Sequence, residues 1–184
     1  FYKYKELKYA EVVARYLKEQ KFNFNDLYYG PYITRYLYIQ QNLITGRLYY
    51  LREQLKKELE TKDTYTQELE STLALASLFD GKFEESYTIY NHIIDELKVQ
   101  DPYTLYMGAV ASTAAGHHGN AIALLELSKL KDKSFYESRF ALALLYLEIG
   151  NVGGAVVELS RIDLDDFRSK YFDFEIDTDK LFFQ

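Results

Sequence analysis

Three histidines and a scatter of carboxylates are the side chains best equipped for chemistry in this 184-residue chain. His117 and His118 follow Gly116 directly, and His92 stands apart. Adjacent histidines point to different sides of most backbones, and no carboxylate stands at ligand spacing from them. They read as exposed turn residues, and no metal is expected. Asp163, Asp165 and Asp166, and again Asp173 to Asp179, have the charge of a calcium loop but lack its central glycine and terminal glutamate. The first group reads better as a helix start, where carboxylates meet the positive end of the dipole. GNVGG, from Gly150 to Gly154, lacks the lysine and the strand of a phosphate loop. It reads as a place where helices pack closely. No Ser–His–Asp order appears, and without cysteine there is no thiolate, disulfide or cysteine metal site. No catalytic residue, no cofactor and no enzymatic activity are expected.

Composition narrows the partners. A formal charge of −6 and a pI near 5.2 argue against nucleic acid, which needs a clustered basic face. The densest lysines, Lys56 and Lys57, then Lys129, Lys131 and Lys133, read as solvated helix faces. No apolar run reaches the ~18–20 residues that cross a bilayer. The chain opens on Phe1 without a methionine, which reads as a piece of a longer protein whose leader is left open. Nineteen tyrosines and twelve phenylalanines offer large contact area at low entropic cost, as binding surfaces do.

The elements that carry these residues are spaced by glycine. Gly46, Gly81, Gly116 and Gly150 are separated by 35, 35 and 34 residues, the period of a helix–turn–helix array. In FYESRFALALLYLEIG, Phe140, Leu144 and Leu147 recur at helical spacing, and so do Leu142, Leu145 and Ile149. A second helix is expected from Val152 through Ala155, Val156, Leu159 and Ile162. One unit earlier, Asp101 caps a helix with Pro102 in its first turn. Small residues return in register at Ala74, Ala109 and Ala143, and at Ser86, Ala121 and Ala155, where paired helices must approach closely.

In this pattern the chain resembles the tetratricopeptide repeat family. Leu142, Ala143, Tyr146, Gly150, Ala155 and Leu159 match in one unit, Leu73, Ala74, Gly81, Phe83, Ser86 and Tyr90 in another. Ala109, Gly116, Ala121 and Leu125 match in a third, and mainly Gly46 and Leu48 in the first. The family's closing proline is displaced by about a turn to Pro102, so the helix through Tyr87, Ile94 and Leu97 should be extended. The resemblance implies an all-α, right-handed superhelical solenoid of about four repeats with flanking helices. The repeats span 31–63, 64–100, 101–133 and 134–163. Residues 1–30 form an N-terminal helix (Tyr4 to Gln20) and aromatic linker, and 164–184 a C-terminal cap or truncated further repeat.

In that family the first helix of each pair lines a concave groove. Carried over, its groove residues are Ile33, Tyr36 and Gln40, then Glu68, Ser71 and Leu75. Tyr103, Tyr106 and Val110 follow, then Glu137, Phe140 and Leu144. Tyr36, Gln40, Ser71, Tyr103, Tyr106, Val110, Glu137 and Phe140 are the expected partner-binding set, whereas Leu75 and Leu144 are expected to pack internally. The Lys, Asn and Arg of the family's carboxylate clamp are absent. The remaining surface, aromatic and mildly acidic, suits an apolar or basic helix or loop of another protein.

The expected function is a non-catalytic protein-interaction scaffold, with no nucleic acid and no direct membrane insertion. Two alternatives stand beside it. The tyrosine-rich, Lys/Glu-rich composition also resembles the paralysed-flagellum scaffold proteins of the bacterial flagellar motor, which implies a structural subunit of a periplasmic assembly. The other is a regulatory helical region of a larger enzyme. The compartment is left open, with the periplasm ahead of the cytoplasm.

Overall fold

The computed structural model describes residues 39, 42–61 and 66–171. Among them are eight α-helices and one π-helical segment, with no strand. In order these are α1 (Leu48–Thr61), α2 (Thr66–Phe79), α3 (Phe83–Asn91) and the π segment His92–Glu96. Then come α4 (Pro102–Ala114), α5 (His118–Lys131), α6 (Tyr136–Glu148), α7 (Val152–Ser160) and α8 (Leu164–Tyr171). From α1 to α7 each helix packs mainly on its neighbours in sequence. That is an all-α solenoid, in which each unit buries its apolar face against the next.

The spaced glycines make one kind of turn four times. Gly46, Gly81, Gly116 and Gly150 have φ of 68°, 72°, 85° and 80°, the left-handed region that costs other residues roughly 1–2 kcal/mol. After each, an amide donates to the carbonyl five residues back: Arg47 to Asn42, Lys82 to Ser77, His117 to Ser112 and Asn151 to Tyr146, at 2.7–2.8 Å. This is the Schellman closure of a helix end. Between the turns, Ala74, Ala109, Ala143, Ser86, Ala121 and Ala155 are all buried. The Ser86 hydroxyl donates to the Ala74 carbonyl at 2.7 Å, so the small-residue register is where helix backbones meet.

Asp101 caps α4, accepting from the Thr104 amide at 3.0 Å, with Pro102 in the first turn. The extension of the preceding helix is present as the π segment, ended by Lys98 at φ 58°. It lays Ile94 over Gly108, where an added Cβ would lie 2.6 Å from Ile94 Cδ1. Of the two adjacent glycines, only Gly154 lies in close packing: a Cβ there would meet Asn151 Nδ2 at 2.7 Å and Tyr146 Cδ2 at 3.0 Å.

One face is rotated from expectation. On α7 the inward residues are Ala155 and Glu158, followed by Ile162, whereas Val156 and Leu159 are exposed. The reason is ionic. Glu158 accepts from Lys129 and from Arg139, both at 2.8 Å, and three charges removed from water hold together only if they face one another. Asp163 opens α8 as expected, accepting from the amides of Asp165 and Asp166 at 3.0 and 3.1 Å. The expected N-terminal helix and aromatic linker, and residues 172–184 of the expected C-terminal cap or truncated repeat, lie outside the described residues.

Candidate protein-binding groove

The first helices of successive units, α2, α4 and α6, carry the residues that the resemblance assigns to a groove. Between α4 and α6 there is an open depression of about 380 Å³. Tyr106, Val110, Thr113 and Ala114 form one wall; Ala141, Leu144 and Glu148 form the other; Ala109, Leu125 and Leu145 lie beneath. A wider, shallower depression runs past Arg52, Phe83, Glu84 and Ala115. Its guanidinium is already paired with Asp80 and Glu85.

Helix geometry explains the groove's lining. Residues 137, 141, 144 and 148 are separated by four, three and four positions, so Glu137, Ala141, Leu144 and Glu148 share one face of α6. Tyr103, Tyr106, Val110 and Thr113 do the same on α4. The aromatic rings brace one another. Tyr106 lies 6.4 Å from Tyr103 and meets Phe135 edge-on at 5.7 Å, between ring centres. Burial pushes the Tyr106 hydroxyl above the ordinary phenol value, and the charge of Glu137 adds to the shift. Glu137 shares the α6 face of Leu144 but is not among the residues that line the depression. Its Oε2 is sealed from solvent and meets no hydrogen-bond donor among the described residues.

The inner helices are one-sided in charge. α2 carries Glu68 and Glu70, α4 carries no charged residue, and α6 carries Glu137, Glu148 and one cation, Arg139. Arg139 is turned away and buried against Glu158. Among the described residues, Glu70 and Glu148 are approached only by histidines, His92 at 2.7 Å and His118 at 3.8 Å. His117 points elsewhere, stacking on Tyr87 with ring centres 4.1 Å apart. Among the described residues no three potential metal ligands gather, and no helix is long and apolar enough to cross a membrane.

Several expectations meet the geometry differently. Tyr106 and Val110 line the groove; Tyr103 and Glu137 share their helix faces but are not among its lining residues. Phe140 is half-buried and its ring packs 5.3 Å from Phe167 of α8. α8 is held there as well by Tyr136, whose hydroxyl donates to Asp166 at 2.7 Å; that bond, aided by burial, pushes the Tyr136 pKa up to about 12. Ser71, half-buried on α2, does not line this depression. Tyr36 and Gln40 lie outside the described residues. Leu75 is buried at 2% as expected, but Leu144 is a correction: it is 68% exposed on the groove wall. Helical period alone could not separate the two, since both stand six residues before a turn glycine. Glu148 was not singled out at all, although its spacing from Leu144 and Glu137 marks the same face.

No family model matches the sequence, and a search of curated proteins found no relative. Among solved structures the chain is similar to MamA, a tetratricopeptide-type protein, with a TM-score of 0.62 at 18% identity. The alignment covers 88% of each chain. At that identity the likeness carries the fold alone. The flagellar-motor resemblance and the periplasmic compartment gain no support from it.

Proposed function

We propose that this protein is a non-catalytic scaffold that holds a segment of a partner protein in the groove between α4 and α6. One observation carries the reading. The position six residues before the turn glycine is buried as Leu75, half-buried as Val110 and 68% exposed as Leu144, so the array opens an apolar face beside Tyr106 that its own helices leave uncovered. Exposed apolar surface in a concave setting is where proteins bind one another. The buried ionisable groups that could otherwise suggest catalysis, Glu158, Lys129 and Arg139, are bonded to each other.

Photo-crosslinking in the native cell tests this. A benzoylphenylalanine at Leu144 should trap a discrete partner that the same probe at Tyr50, exposed on α1, does not. The adduct should disappear when Val110→Glu is added. Adducts from Tyr50 alone would show that the wrong surface has been chosen.

A further inference from the structure

Resting on the groove reading above, we infer that the partner anchors itself through one large apolar side chain, of methionine, leucine or phenylalanine type, inserted over Ala141. The repeat register supplies the argument, because the chain itself shows what fills this space one unit earlier. Nine residues before the turn glycine, α4 carries Met107 and α6 carries Ala141. Met107 is 8% exposed and belongs to one cluster with Ala74, Leu75, Tyr90 and Ala111. In the same register one unit later stand Ala109, Val110, Leu125 and Leu145, and with Ala141 they line the open depression. Positions that close on one another between α2 and α4 thus stay open between α4 and α6.

Two further exchanges empty the same place. Leu78 and Phe79, at the end of α2, pack against the Met107 cluster. Their counterparts at the end of α4 are Thr113 and Ala114, which stand on the wall of the depression. Some bulk returns elsewhere. Tyr106 stands where α2 has Ser71 and Leu144 where α4 has Val110, which raises the walls, and Leu145 replaces Ala111 in the floor. The result is a hole with tall apolar sides and short side chains where a leucine, a phenylalanine and a methionine stand one unit earlier. The Thr113 hydroxyl donates to the Ala109 carbonyl at 2.9 Å, so it does not call for a polar guest. The one carboxylate among the lining residues, Glu148, is exposed. An apolar hollow forfeits the contacts that a fitting side chain would make, and an apolar anchor sunk in a pocket carries much of the energy of an interface.

The probe is a phage-displayed library of random peptides, about twelve residues long so that a helical guest can run along the groove. It is selected on the full chain. Winners should share one large apolar residue, whose change to alanine weakens binding at least about tenfold. Ala141→Met gives α6 the residue that α4 already has, and Ala114→Phe copies the end of α2. Each should weaken the winners at least about tenfold by filling the hole from within. Neither should lower the melting temperature, since each places apolar atoms in open space. A clear fall with either variant would mean that the space is already full, and would overturn the anchor. Winners unaffected by Ala141→Met but lost with Val110→Glu would overturn the anchor and leave the groove standing. Winners indifferent to both substitutions would overturn the two readings together. A selection without winners would overturn the anchor, and the crosslink at Leu144 then decides for or against the groove. Two rival occupants are checked alongside. An oligomer of the full chain that Ala141→Met dissociates, followed by sedimentation, would seat a second copy in the hole in place of a foreign partner. Peptide binding that appears only when residues 172–184 are deleted would assign the hole to that segment. Either result overturns the inference.

Discussion

The guanidinium of Arg52 reaches from α1 under the second unit, where Nε donates to Ser77 at 3.3 Å and Nη1 to Asp80 at 2.6 Å. Nη2 donates to Glu85, which also receives Lys56 at 2.7 Å and the Ser77 hydroxyl at 3.0 Å. Burial pushes the Glu85 carboxyl up, but the hydrogen bonds from Lys56, Arg52 and Ser77 outweigh it and hold the group below the usual range. A carboxyl lowered in the folded state stabilises the fold fully above its unfolded pKa, and that contribution is lost as pH falls through the lowered value. Arg52→Met keeps most of the buried stem and removes the charge. It should cost about 2 kcal/mol at neutral pH, near the lower end for a broken buried pair because Glu85 and Asp80 keep some water. Urea melts should show this deficit beginning to shrink as pH falls below about 4, the unfolded value, and disappearing only once pH has passed through the lowered folded value of Glu85. A deficit that stays constant with pH would mean that Arg52 acts through packing alone.

Between neighbouring helices the small residues decide the distance. Ala121 is fully buried where α5 meets its neighbours, and Ala155 is the matching residue on α7. Ala121→Leu should overpack the contact and cost ~1–3 kcal/mol, read as a lower thermal midpoint. Ala155→Leu should cost less, because among the described residues α7 packs closely on α6 alone. Equal costs would show that the number of neighbouring helices does not set the cost at these matching positions. The helix pairs themselves were legible from the residues: glycine at a fixed step and alanine or serine in phase are requirements of turn and contact geometry. The rotation of α7 was not. Its sequence offers Val156 and Leu159 as an apolar stripe, yet Glu158 turns inward because Lys129 and Arg139, far away in sequence, wait there. Periodicity sees one helix at a time, and an ion triad is shared by three.

Over the whole array the same register meets different surroundings. The residue nine positions after each turn glycine is buried as Leu55, Tyr90 and Leu125, but Leu159 is 44% exposed. The inner three are covered by the following helix. Leu144 is likewise open where Leu75 is closed, a difference that a spacing of glycines does not encode. Stability in such an array is close to a sum of nearest-neighbour terms, so protection should grade along it. Amide exchange followed by mass spectrometry should find α4 and α5 slowest, since they share the most extensive contact between any two helices and each packs on a further neighbour as well. α7 and α8 should exchange at least about tenfold faster, as local opening needs only one interface to part. Val156→Lys, at an exposed site on α7, should leave that gradient unchanged, whereas Ala121→Leu should speed exchange in α4 and α5 together. Uniform protection from α2 to α7, lost everywhere at once in Ala121→Leu, would instead mark a single cooperative domain, in which opening α7 requires opening the groove.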